Sequence, residues 1–211
     1  MKIAIIGAGG HGKVSYDTIQ AMKKYTIAGF IDDNEQLQGK KVYGIPVLGK
    51  VSNLLEDLKD SFEGVFIAIG NNKIREKIFN ILKNNFKIIN AIHPNAVISS
   101  SVKFGKGILV VAGVVINADS NIGDGAIINT SASIDHDNII GRFSFIAPGV
   151  HLAGGVVIGD YSQIGIGASI IQNIKIGENS VIGAGAAVVK DIPKNSLAYG
   201  VPAEIKKEIK D

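Results

Sequence analysis

The sequence predicts a small α/β domain followed by a parallel β-solenoid, and three observations carry that expectation. Every sixth residue from Phe104 to Val188 is Ile, Val, Leu or Phe without a slip, and Ile98 and Ile92 keep the same phase upstream. Six residues at about 100° each advance about 600°, so on a helix these positions would scatter around the cylinder. No single strand runs this far either. A chain that turns a corner every six residues, with one apolar side chain inward per side, accounts for the ladder. Upstream of residue 90 the pattern differs: short apolar runs alternate with glycine turns and helical periodicity, which implies a small parallel sheet with helices on it. The third observation is composition, since 26 Gly and no Trp suit tight corners and small stacked side chains.

In chain order, Lys2–Ile6 reads as a strand and runs into Gly7-Ala8-Gly9-Gly10-His11-Gly12. Residues 13–24 read as a helix, with Val14, Ile19 and Met22 available to face a sheet. A strand over 25–31 ends at Asp32-Asp33-Asn34, and Pro46 marks residues 44–49 as a connecting loop. A strand over 65–69, the turn Gly70-Asn71-Asn72, a helix through Ile74, Ile78 and Leu82, and a strand over 86–89 complete a domain spanning 1–90. Gly7-x-Gly9-x-x-Gly12, with Asp32 on the next strand, matches the dinucleotide fingerprint and, taken literally, predicts NAD. The domain holds only about half of a full doubly wound fold, however. The narrower physical content is that N–H groups at a helix N-terminus can hold a phosphate, while Asp32 and Asp33 can accept from a ribose or a base. A Rossmann-like domain for a nucleotide-linked ligand is therefore preferred to a dinucleotide site, with a plain βα turn as the bland alternative.

The solenoid occupies residues 91–202. Three six-residue sides make a coil of eighteen, so the ladder supplies about five coils, which build a core by stacking. Gly often follows the inward residue (Gly123, Gly141, Gly159) and small residues recur four after it (Ala132, Ser144, Ser162), as expected where corners crowd. The end coils expose unpaired strands, and residues 203–211 read as a short charged helix that caps one of them.

Composition excludes several classes. A net charge of +3 with interspersed signs gives no nucleic-acid footprint. With no cysteine there is no disulfide, thiolate metal site or Cys nucleophile. The apolar stretch 107–118 is too short to span a bilayer, and no leader sequence is visible, so the expectation is a cytoplasmic protein without membrane insertion.

One place in the repeats breaks the structural pattern: Asp135-His136-Asp137, with His136 two residues past an inward Ile and pointing off the core. An imidazole there suits proton abstraction from an amine or hydroxyl, and Asp137 is placed to orient it. His93, before Pro94, and His151, fifteen residues from His136, read as a turn residue and a surface residue. With only two histidines in the repeats, no metal site is expected.

The hexapeptide ladder, the ending Val188-Val189-Lys190-Asp191-Ile192-Pro193 and Gly200-Val201-Pro202-Ala203 together resemble the hexapeptide-repeat acyltransferases. Adding Gly7 to Gly12, Ala68-Ile69-Gly70-Asn71-Asn72, Ile128-Asn129-Thr130-Ser131 and Asp135-His136-Asp137, the chain resembles the sialic-acid O-acetyltransferase-like sugar acetyltransferases, nearest the type that acetylates the 4-amino group of UDP-linked bacillosamine. The resemblance implies a left-handed β-helix, acetyl-CoA as co-substrate, no metal, a homotrimer with sites between subunits, and a UDP-amino sugar as acceptor. By the same resemblance His136 is the general base, with Asp137 as its partner where the family commonly has Glu. Gly154 supplies an oxyanion N–H, and Asn129 meets the sugar. Gly9, Gly10, His11, Asp32, Asp33 and Gly70 hold the UDP portion. Phe145 (where a relative carries His), Ile166 and Ala184 line the coenzyme groove. The same features admit a sugar O-acetyltransferase acting on sialic acid or a polysaccharide precursor; a non-catalytic solenoid or an NAD-dependent enzyme fits them less well.

Overall fold

A computed structural model of the chain describes residues 1–55 and 57–210. It divides into two compact units, Met1–His93 and Pro94–Asp211, so the break falls after His93 where the sequence suggested residue 90.

The first unit is a six-stranded sheet with two helices. The strands are β1 (Lys2–Ile6), β2 (Thr26–Ile31), β3 (Lys41–Val42), β4 (Ile45–Gly49), β5 (Gly64–Ile67) and β6 (Lys87–Ile88); the helices are α1 (Gly10–Met22) and α2 (Asn72–Leu82). Their order is β3-β4-β2-β1-β5-β6, parallel except for the β3–β4 hairpin. Ile3, Ala4, Ile5 and Ile6 of the central strand are fully buried, which is why β1 reads as an unbroken apolar run. Gly7 donates its N–H to Ile31 O at 2.7 Å, and a Cβ on Gly12 would sit 2.1 Å from Gly7 O. Only glycine allows α1 to start that close to the strand it leaves.

That close approach also selects the buried face of α1. Gly12, Ser15, Thr18 and Ile19 are buried, whereas Val14, expected to face the sheet, is exposed and Met22 is half-buried. Ser15 and Thr18 satisfy their hydroxyls on the carbonyls of His11 and Val14, so polar residues line the packed face at little cost. The segment around Pro46 is likewise a strand rather than a loop. β4 pairs with both β3 and β2, and Val47, next to the donorless Pro46, gives its N–H to Lys40 O.

The second unit is a left-handed parallel β-helix. Its first face stacks Leu109–Val110, Ile127–Ile128, Phe145–Ile146, Gln163–Ile164 and Val181–Ile182. The second face stacks Val97–Ile98, Val115–Ile116, Ser133–Ile134, His151–Leu152, Ser169–Ile170 and Ala187–Val188. The third runs from Lys103–Phe104 through Asn121–Ile122, Ile139–Ile140 and Val157–Ile158 to Lys175–Ile176. Partners lie eighteen residues apart, as in Ile116↔Ile134↔Leu152↔Ile170. Val110 to Val188 in the ladder are buried, whereas Ile98 and Phe104 of the first coil are half-buried.

The corners have a rule that the ladder alone does not express. From Phe104 to Ile182, the third residue after each inward one is left-handed: Asp119, Ser131, Asp137, Tyr161, Asn173 and Asn179 have φ between 54 and 61°, and Phe143 has 52°. Gly113, Gly125 and Gly155 hold the same place elsewhere. The expected terminal helix over 203–211 is absent. Ala203–Glu208 is a strand antiparallel to Ser196–Gly200, which itself extends the first face beyond Val181–Ile182; residue 211 lies outside the described residues. The physical reason is the open strand edge of the last coil, which a hairpin pairs with backbone bonds that a helix does not offer. Lys206 and Glu204, two apart, share one side of that strand and form an ion pair at 2.9 Å.

Candidate active site

The corner between the second and third faces carries Asp135, His136 and Asp137. The inward Ile134 fixes the register, Asp135 N–H donates to Leu152 O, and Asp137 N–H donates to Ala118 O. Asp137 then takes the left-handed turn at φ 59°. The turn brings its Oδ2 to 2.7 Å from His136 Nδ1. With Nδ1–H given to a carboxylate, the ring presents Nε2 as the basic nitrogen. The hydrogen bond to Asp137 first, and then the charge of Asp135, raise the imidazole above the ordinary histidine value. Asp135 Oδ1 accepts from Asn117 Nδ2 at 2.9 Å and from the His136 N–H at 2.9 Å, and these bonds hold its carboxyl below the usual range.

Gly154 lies one coil beyond His136, in the same column. A Cβ on Gly154 would meet His136 Cε1 at 2.5 Å and Nε2 at 2.7 Å. The ring therefore rests over a residue that has to be glycine. The Gly154 carbonyl accepts from Asn173 N–H, while its own N–H has no acceptor among the described residues. An imidazole held through Nδ1, resting on a residue with a spare backbone donor, supplies the components of a proton-transfer and oxyanion site.

Asn129 stands at the corner between the first and second faces, half-buried, its Oδ1 accepting from Thr130 N–H at 2.8 Å. It and His136 lie at opposite ends of the second face. Ile166 and Ala184 form a column on Asn129's corner, both exposed, and Phe145 is half-buried on the first face. A Cβ on Gly149, Gly167 or Gly185 along that corner would meet nothing within 4 Å, so the edge has room for a flexible chain such as pantetheine. One copy of the β-helix thus places the histidine and the expected coenzyme residues on different corners.

In the first unit, Gly9, Gly10 and Gly70 are exposed, with open space where side chains would be. Asp32 is engaged within the chain: Oδ2 accepts from Ala8 N–H at 2.7 Å and Oδ1 from Asn34 N–H at 2.9 Å. Asp33 Oδ1 accepts from Val51 N–H at 2.8 Å. These bonds shape the glycine turn and the end of β2, and they leave lone pairs on each carboxylate for a ligand. Burial first, and then the nearby Arg75 charge, push the His11 imidazole down to about 4, so it is neutral at pH 7.

Arg75 escapes sequence reasoning because it lies in the apolar stripe of α2 with Ile78, Phe79 and Leu82. Its Nη1 donates to Ile69 O at 2.8 Å and Gly70 O at 3.0 Å, and its Nη2 to Asn72 Oδ1 at 2.8 Å. Burial lowers the guanidinium to about 9. The loop that contains Gly70 is folded around this cation. Among the described residues, no group of three or more His, Asp or Glu is arranged to hold a metal ion, and no helix is long and apolar enough to cross a membrane.

A prism of hexapeptide coils with a carboxylate-held imidazole on one corner defines the class: a hexapeptide-repeat transferase. Comparison with known proteins narrows it. Residues 2–82 match the PglD N-terminal domain family, and residues 155–190 match the bacterial transferase hexapeptide family (six repeats). A structure of GDP-perosamine N-acetyltransferase from Caulobacter crescentus, in complex with CoA and GDP-perosamine, aligns with a TM-score of 0.93 at 42% identity, covering 99% of this chain and 98% of that one. The acetyltransferase domain of PglB from Neisseria gonorrhoeae, in complex with acetyl coenzyme A, aligns at 0.90 and 38% identity over 97% and 98% of the two chains. UDP-N-acetylbacillosamine N-acetyltransferase from Bacillus subtilis is 37% identical over 114 residues, 52% of this chain. That match spans about half the curated relative's length (51%). The chain belongs to the sialic-acid O-acetyltransferase-like family of hexapeptide-repeat sugar acetyltransferases.

Proposed function

We propose that this protein transfers an acetyl group from acetyl-CoA to the 4-amino group of a nucleotide-linked amino sugar, working as a homotrimer in the cytoplasm. The observation that carries the reading is the His136 imidazole, held through Nδ1 by Asp137 and seated over Gly154. His136 Nε2 takes a proton from the sugar ammonium or from the N–H of the tetrahedral intermediate. The amine nitrogen bonds to the thioester carbonyl carbon, and the Gly154 N–H donates to the oxygen that gains charge. When the C–S bond breaks, His136 returns the proton to the departing sulfur. Transfer is direct.

The remaining roles follow from position. The backbone of Gly9, Gly10 and Gly70 receives the nucleotide phosphates, Asp32 and Asp33 meet the ribose or base, and neutral His11 serves as a hydrogen-bonding neighbour rather than a cation. Phe145, Ile166 and Ala184 hold the coenzyme beside the open glycines of their corner. Because His136 occupies a different corner, the base of one copy meets the coenzyme edge of the next, which supports threefold assembly. Asn129, on that same edge, contacts the sugar near its acceptor nitrogen.

UDP-linked bacillosamine is the acceptor type the sequence motifs favour. A GDP-linked sugar is the second reading, supported by the 42% identity to the GDP-perosamine enzyme over nearly the whole chain. The test is turnover of acetyl-CoA with UDP- and GDP-linked 4-amino sugars beside sialic acid, with N-acetyl product identified by mass. His136→Ala should cost at least about 10²-fold in kcat; near-normal turnover would sink the base role, and acetylation of sialic acid alone would replace N- by O-transfer.

A further inference from the structure

We propose that Asn138 is a positioning residue of this site, whose buried carboxamide binds three carbonyls of two coils and thereby sets the seat of His136 over Gly154. It rests on the reading of His136 as the base. Asn138 is fully buried, and its Nδ2 donates to Asp135 O at 2.8 Å, His136 O at 3.2 Å and Ala153 O at 3.0 Å. Two of those carbonyls flank the His136 backbone. The third belongs to the residue just before Gly154, the surface on which the imidazole rests. One side chain therefore links the segment that carries the base to the segment that carries its seat.

Other corners do not need this link. In the same column, position 120 is Ser, 156 is Val and 174 is Ile, all buried, and the corresponding places on other corners are small or apolar, as at Ala132, Ser144, Ser162, Val114 and Val150. Ser120 Oγ satisfies one carbonyl on a neighbouring segment, Asp135 O, and Ser162 Oγ does the same for Gly177 O. Asn138 alone among them spans three. It does so at a cost, because its Oδ1 is buried with no hydrogen-bond partner among the described residues, and such an orphan acceptor destabilises a fold. A valine, which the next coil accommodates at this corner, would avoid it. A position that carries an avoidable orphan beside a reactive group is serving the geometry of that group rather than the stability of the prism.

The test is a pair of substitutions in the full chain. Asn138→Val removes all three hydrogen bonds, and Asn138→Ser restores one donor, like that of Ser120. For Asn138→Val the expected result is a ten- to hundredfold lower kcat, with KM for acetyl-CoA and the amino sugar each within threefold of wild type. Its His136 resonance, followed by NMR, should titrate at lower pH as the ring leaves Asp137, the other neighbouring charge being Asp135. Asn138→Ser should recover part of both. Unchanged kcat and unchanged His136 titration in Asn138→Val would overturn the proposal. So would joint loss of kcat, KM and melting temperature in both variants, the signature of a purely structural residue. If the wild-type protein acetylates no amino sugar, the enzymatic reading falls by itself. The titration then decides Asn138 alone: a lowered value supports positioning and an unmoved one ends it.

Discussion

Gly154→Ala tests the seat of the imidazole directly. The new Cβ would lie 2.5 Å from His136 Cε1 and 2.7 Å from Nε2, where carbon atoms settle at about 3.5–4.0 Å. Gly154 is not among the residues of positive φ, so its backbone accepts alanine and keeps its N–H. The exposed imidazole, with 61% of its side-chain surface accessible, is the part that yields. Relief takes about 1 Å of ring displacement, enough to break the 2.7 Å bond from Nδ1 to Asp137. A misplacement of that size costs about 10²-fold in rate, or about 2.7 kcal/mol of transition-state stabilisation. The fold should change by less than about 0.5 kcal/mol, since the residue that moves is at the surface. The assay is release of CoA thiol under saturating substrates, with thermal unfolding in parallel. A Gly154→Ala enzyme within fivefold of wild-type kcat would refute the seat, because the ring would have been shown to work from elsewhere.

Three further predictions follow from the same geometry. Because the bond to Asp137 raises the His136 value, the base form appears at higher pH than for an ordinary histidine; Asp137→Asn should move the acid limb of kcat/KM to lower pH, and an unmoved limb would remove Asp137 from the role. His11 has a folded value near 4 against an ordinary 6.5, so the unfolded chain binds the proton more tightly. Its contribution is complete above about pH 6.5 and is lost as pH falls toward 4, by at most on the order of 3 kcal/mol. Urea melts at pH 7 and 4.5 should show that loss, and His11→Gln should flatten it. If each site takes His136 from one subunit and Asn129 from the next, random trimers of His136→Ala and Asn129→Ala chains have both residues intact in about a quarter of sites. Co-expression should restore about that share of activity, whereas a site within one chain restores none.

The sequence by itself determined the architecture of both units, since the periods that define them are local. One inward apolar residue per six requires a three-sided coil, and the apolar run Ile3, Ala4, Ile5 and Ile6 followed by spaced glycines requires a buried parallel strand and a tight turn. It also singled out Asp135-His136-Asp137, because a polar break in a regular ladder is visible without coordinates. Tertiary structure decided what depends on residues about a coil apart. The left-handed corner at Asp137, the seat of His136 on Gly154, and the reach of Asn138 to Ala153 O exist only when coils stack. Arg75 was hidden for the converse reason: helical spacing assigns its position to the core, and only the packed loop of Ile69 and Gly70 reveals a cation there. Ala203–Glu208 is a strand because the last coil leaves an edge to pair; its own charged sequence suits a helix equally well. Local pattern gives the fold its periods, and the contacts between coils give the site its geometry.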